Sequence, residues 1–334
     1  MTDSKTAPAL DLAPGSSNTE RRAAFWRFVD DYSLILIFIA LFAVLSCTVE
    51  YFFSWDNVVG LALSVSQIGM VACTMMFCLA SRDFDLSVGS TVAFAGVLCA
   101  IVSNATGSVT LGIAAALMAG AAIGFVNGAV IAKLKINALI TTLATMEIVR
   151  GLAFISSQGQ AVGVANEAFF SIGSSILFGL PAPVWVTLAC FVLFGVLLNK
   201  TIYGRNTLAI GGNPDAARLA GVSVDRTRIL IFLVQGAVAA LAGIILASRM
   251  TSGQPNAGEG FELNVISACV LGGVSLMGGR ASISGVLVGV LIMGTVQNAM
   301  SLMNIDAFYQ YLVRGTILLI AVLVDQLKNR RQSR

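Results

Sequence analysis

Ten apolar runs, separated by short polar breaks, leave this chain few ways to fold. They lie at about 33–49, 58–80, 86–104, 109–132, 138–156, 184–199, 229–247, 263–278, 283–303 and 310–325. A bilayer core about 30 Å thick is crossed by about 20 apolar residues of helix. Lipid-exposed backbone must satisfy its own hydrogen bonds, so each run reads as a helix. Barrel strands would alternate apolar with polar residues, and these runs do not. Charged residues make up 11% of the chain, against about 25% in an average soluble domain. The expected fold is an all-α polytopic membrane protein with about ten transmembrane helices and no sizeable soluble domain.

The basic residues orient the helices, because cytoplasmic loops carry the excess of Lys and Arg. With an N-terminus in the cytoplasm and ten crossings, the inner side receives Arg21, Arg22, Arg27, Lys133, Lys135, Lys200, Arg205, Arg218, Arg226, Arg228, Arg280 and the basic C-terminal residues. The outer side receives only Arg249. Residues 1–31 are then a cytoplasmic tail rather than a signal peptide, 32–326 a single transmembrane domain containing the inner loop 200–228, and 327–334 a second cytoplasmic tail. Both termini are expected inside. The net charge of +3 follows from this topology and does not point to nucleic acid.

Several chemistries are excluded. The chain has no histidine, so Ser-His and Cys-His catalysis and imidazole metal sites are absent. The six cysteines lie inside apolar runs without a CxxC pair and read as small buried hydrophobes. No GxxxxGK[ST] occurs, so this chain has no P-loop. No catalytic residue, metal site or cofactor is expected in it; any ATP and Mg would sit on a partner subunit.

An internal repeat is visible. Leu79-Ala80-Ser81-Arg82 recurs at 246–249, Gly124-Phe125-Val126-Asn127 is echoed at 294–297, and Val149-Arg150-Gly151 recurs at 313–315. The order and near-common offset suggest a five-plus-five repeat. Five is odd, so the halves would be inverted, an arrangement that builds transport pathways.

Charges at membrane depth mark candidate functional residues, because they are costly there. Arg82, Asp83 and Asp85 lie in the abrupt junction 80–90. They are expected to line or gate a path, the two aspartates pairing Arg82 or binding hydroxyls; the alternative is a short solvated turn. Glu147 and Arg150 are three apart on one helix and can pair, with Arg314 as the repeat partner of Arg150. Gly120, Gly124 and Gly128, like Gly285 and Gly289, have the spacing that lets helices approach closely. In the large inner loop 200–228, Asn213 suits a helix N-cap, Pro214 the first helical position and Gly221 the end. A short helix carrying Asp215, Ala216, Ala217 and Arg218 there is placed to dock a cytoplasmic partner.

The stretches FDLSVGS (84–90), Asn127-Gly128 and GRNTLAIGGNPDAARLAGV (204–222) resemble the permease subunits of bacterial sugar ABC importers of the ribose, xylose, galactose and arabinose type. The likeness runs from about residue 30 to 326. The stretches 133–154, 243–255 and 262–276 favour the L-arabinose branch. The resemblance implies a homodimeric inner-membrane permease surrounded by lipid, a periplasmic sugar-binding protein outside and an ABC ATPase subunit inside. It makes Asn213, Asp215, Ala216, Ala217, Arg218 and Gly221 the coupling helix, and leaves Arg82, Asp83, Asp85, Ser87, Asn127, Glu147, Arg150 and Arg314 as candidates for the pathway or gate. The family often has Gly-Ile before Asp85, where this chain has Asp83-Phe84. The alternative is an ion-coupled secondary sugar transporter, with Asp83, Asp85 or Glu147 as its ion site.

Overall fold

Every apolar run contains a helix. The computed structural model describes residues 34–332; the tail expected at 1–31 lies outside the described residues. The helices are α1 (Leu34–Thr48), α2 (Trp55–Ala80), α3 (Val88–Thr106), α4 (Val109–Lys133), α5 (Ala138–Ser157), α6 (Glu167–Ser174), α7 (Ala182–Lys200), α8 (Ile202–Gly212), α9 (Pro214–Leu219), α10 (Val224–Arg249), α11 (Phe261–Leu271), α12 (Ile283–Leu302) and α13 (Ala307–Gln332). The last of these runs into the segment read as a C-terminal tail.

Seven of them, α2, α3, α4, α5, α7, α10 and α12, are long and apolar enough to cross a membrane. The other three runs hold shorter apolar helices: α1, α11 and the Phe308–Leu323 part of α13. The run 263–278 is helical only to Leu271, and Gly273, Gly278 and Gly279 then take left-handed conformations. The polar connection 157–183 folds as α6 with two tiny antiparallel pairings. One joins β1 (Val162–Gly163) to β4 (Ser252–Gly253), the other β2 (Ile176–Leu177) to β3 (Leu180–Pro181).

Helix α2 forms the centre. From Ile68 to Ala80 every residue is buried: Met70, Val71, Ala72, Cys73, Met75, Met76 and Phe77 are all within 1% of full burial. A helix that is apolar on all sides belongs inside a bundle. Helices α7, α10, α11 and α12 pack around it, while α10 also packs on α3 and α4. The α4–α10 contact is the close approach that the glycine spacing predicts. A Cβ at Gly120 would meet Gly236 O at 2.5 Å, and one at Gly128 would meet Ile229 Cα at 2.7 Å. Helices α4, α5 and α7 present Met118, Ile148, Ile155 and Val192 outward, as lipid-facing helices do. Five of the six cysteines are buried; Cys47, on the outer helix α1, is exposed.

Candidate functional site

The helical bundle is interrupted between α2 and α3. Helix α2 ends at Ala80 and Arg82 takes a left-handed φ of 67°. The chain then runs non-helically to α3. This is no solvated turn: Asp83, Asp85 and Ser87 are 5%, 1% and 1% exposed.

Each buried polar group there has a partner. Asp83 forms an ion pair with Arg228 Nε at 3.0 Å. The expectation that the aspartates pair Arg82 is therefore corrected: Arg82 points away from both. Asp85 binds a hydroxyl instead, accepting from Ser87 Oγ at 2.6 Å and from Ser87 N–H at 3.0 Å. Asn127 Nδ2 donates to Ser87 Oγ at 3.0 Å, and Thr145 Oγ1 donates to Asn127 Oδ1 at 2.6 Å. Donors and acceptors alternate along Thr145, Asn127, Ser87 and Asp85, so no member is left unsatisfied. Thr142 Oγ1, which donates to Ala138 O at 2.8 Å, also lies 3.3 Å from Phe84 O. The start of α3 is thereby tied to α4 and α5.

Arg82 serves a different contact. Its Nε donates to Met277 O at 2.6 Å and its Nη2 to Gly212 O at 2.9 Å. Gly279 N–H donates to Ala80 O at 2.9 Å. The end of α2, the end of α8 and the turn after α11 thus meet at one point.

The inner loop has more structure than its sequence suggests. Residues 202–212, read as part of the large inner loop 200–228, form α8. Helix α9 starts as expected: Asn213 Oδ1 accepts from the N–H groups of Asp215 and Ala216 at 3.0 Å, with Pro214 first in the helix. Ala220 closes it and Gly221 follows at φ 86°, a conformation in which glycine has no steric cost. Ala217 is buried against Ile210 and Val224. Arg218 reaches Asp215 at 3.5 Å and Asp225 at 3.8 Å. Leu219 is 91% exposed. A cavity of about 700 Å³ opens between α9, the turn joining α4 to α5, and the interrupted segment; Asp83, Phe84, Lys135, Arg218 and Arg228 line it.

The Glu147–Arg150 pair does not form among the described residues. Glu147 is exposed, and Arg150 instead donates through Nη1 to Pro255 O and Ala257 O, both at 2.7 Å. Two carbonyls satisfy a guanidinium that an exposed carboxylate one turn away does not. Arg314 is not at the interruption either. It lies over the Tyr311 ring, 5.2 Å from its centre, with Nη1 close to Gly260.

Sequence reasoning missed Arg228, Thr142 and Thr145. Arg228 reads as one more cation of a basic loop, and two threonines in an apolar helix carry no signal of their own.

The family described as the permease component of branched-chain amino acid transport systems matches residues 57–322. The chain belongs to this permease family. An L-arabinose transport system permease protein of Escherichia coli strain K12 is 59% identical over 316 residues, which cover 95% of this chain and 96% of the relative. An L-arabinose ABC transporter permease protein of Azospirillum brasilense is 52% identical over 99% of this chain and 97% of its own length. A ribose import permease protein of Haemophilus influenzae is 36% identical over 90% of this chain and 94% of its own. No solved structure matches the chain. The matched span holds both the interruption and α8–α9. The family description names amino acids and these relatives name sugars; the shared architecture therefore does not decide the cargo. The chain is a multi-pass membrane transport subunit rather than an enzyme.

Proposed function

We propose that this chain is the permease subunit of an ATP-driven importer for a monosaccharide, L-arabinose, handed over by a periplasmic binding protein. The observation that carries the cargo is the step in similarity, from 59% and 52% with L-arabinose permeases to 36% with a ribose permease. Helix α9 supports the docking of an ABC ATPase subunit, which brings ATP and Mg. It is capped at its start, anchored through Ala217, and holds Leu219 out into solvent. The segment 81–87 is the gate, and its polar chain of Asp85, Ser87, Asn127 and Thr145 holds it shut.

The permease works as a pair of copies in the bacterial inner membrane, with ten crossings and both termini in the cytoplasm. The distribution of Lys and Arg supports that orientation. The inverted repeat is supported by packing. Helix α2 packs on α11 and α12, and α10 packs on α3 and α4, so the second spanning helix of each half lies against the third and fourth of the other. Gly89 and Gly258, 169 positions apart, touch each other: a Cβ at Gly258 would meet Gly89 O at 2.7 Å. A residue near a two-fold axis meets its own equivalent in this way.

Uptake into proteoliposomes holding the permease and its ATPase subunit, with the binding protein added, tests this reading. L-arabinose should enter only with ATP, ATPase and binding protein together, and excess ribose should not compete. Uptake driven by an ion gradient alone would overturn it.

A further inference from the structure

A docked ATPase would move α9, yet among the described residues no hydrogen bond or ion pair joins an α9 side chain to the gate; Arg218 pairs with Asp215 and Asp225 instead. What connects α9 to the gate is the body to which α9 belongs. Ile210 of α8, Ala217 of α9 and Val224 of α10 form one small apolar cluster. The end of α8, α9 and the first turn of α10 are therefore packed as a unit. Gly211 lies so close to the carbonyl of Ala80 that no side chain fits between them.

This unit grips the interrupted segment at two adjacent residues. From one side Arg82 reaches out of the segment to Gly212 O, where α8 meets α9, and to Met277 O in the turn after α11. From the other side Arg228, one turn into α10 and four residues beyond Val224, holds the Asp83 carboxylate at 3.0 Å. The far end of the segment is held separately. Asp85 and Ser87 are bonded through Asn127 to Thr145, on α4 and α5. Residues 81–87 thus have two sets of attachments, one to the unit that carries the docking helix and the other to α4 and α5, and the two meet where Gly128 packs on Ile229.

We propose that Arg82 and Arg228 are the positioning residues through which movement of the α8–α9 unit is passed to the segment 81–87, and that displacement of the unit draws Asp83 away from the Asp85–Asn127 tie. This rests on the reading of α9 as the docking helix. Removing one partner of a buried ion pair leaves an uncompensated charge, while removing both is far better tolerated. The neutral double variant therefore separates a missing link from a misfolded protein.

The test uses the complete importer in proteoliposomes, with sugar moved per ATP hydrolysed as the readout. Arg82→Gln, whose side chain is exposed, and the double variant Asp83→Asn/Arg228→Gln should retain the ATPase subunit and hydrolyse ATP. Both should move less sugar per ATP, on the order of tenfold, a usual size for coupling between sites. Arg228→Lys, which keeps a cation opposite Asp83, should restore most of the ratio. A wild-type ratio in Arg82→Gln or in the double variant would overturn the proposal; should the double variant fail to reach the membrane, Arg82→Gln decides alone. A wild-type chain that retains no ATPase subunit would instead overturn the importer reading and this proposal with it.

Discussion

The two interruptions of this bundle make an instructive pair. The first, after α2, is short and carries two buried carboxylates. The second, after α10, runs from Met250 to Gly260 and has Thr251, Gly258 and Gly260 in left-handed conformations. The first is held by side chains, through an ion pair to Arg228 and a chain of hydroxyl and amide bonds. The second is held by backbone shape, by the pairing of β4 with β1, and by one guanidinium on two carbonyls. They meet at Gly89 and Gly258. The same device, a broken helix, is held in one place mainly by side chains and in the other mainly by backbone.

The meeting point offers the largest effect. Alanine at Gly258 would have to adopt φ 71° and place its Cβ 2.7 Å from Gly89 O. The left-handed conformation alone costs roughly 1–2 kcal/mol, and the contact adds to it. Gly260→Ala has nearly the same φ, 70°, but its Cβ would meet nothing nearer than Arg314 Nη1 at 3.5 Å. Gly258→Ala should lower the unfolding temperature of the detergent-solubilised permease clearly more than Gly260→Ala and should abolish uptake. Equal effects of the two would mean that the contact with Gly89 carries no weight.

A smaller effect is expected at Arg150. Its loss leaves the carbonyls of Pro255 and Ala257 without their donor, at a cost of about 1–3 kcal/mol if both stay buried. Arg150→Gln should loosen the second interruption, so that a cysteine placed at Asn256 reacts faster with a soluble maleimide, while one placed at Ser87 is unaffected. Equal acceleration at both positions would show that the two breaks open as one.

How much of this was legible beforehand differs between the two regions. The apolar runs, the cap Asn213-Pro214 and the close-packing glycines each depend on local pattern; each run holds a helix, though seven are long enough to cross and the run 263–278 is helical only to Leu271. The charges at 82–85 and at 150 announced that something polar lay at depth. Their partners could not be read. Asp83 is 145 positions from Arg228 and Arg150 is more than 100 from the carbonyls it holds, and no spacing rule reaches so far. The nearer partners, Arg82 for the aspartates and Glu147 for Arg150, were offered by local reach and were not used. Helix α8 was hidden for a related reason: Gly204, Gly211 and Gly212 weaken its intrinsic propensity, and burial of Ile210 and Thr207 sustains it.

The smallest effect is expected inside the side-chain lock itself. Asp85→Asn keeps an oxygen to accept from Ser87 Oγ and from Ser87 N–H, whereas Asp85→Ala removes the acceptor and leaves both donors unpaired. A hydrogen bond is worth about 1 kcal/mol net, and a buried donor left unsatisfied costs about 1–3 kcal/mol. The unfolding temperature of the detergent-solubilised permease should therefore fall in the order native, Asp85→Asn, Asp85→Ala. A cysteine at the exposed Asn256 should keep its maleimide reactivity in both variants, because the second break is held by other groups. Equal losses in the two variants would mean that Asp85 does not act through Ser87, and faster labelling at Asn256 would mean that the two breaks are held as one.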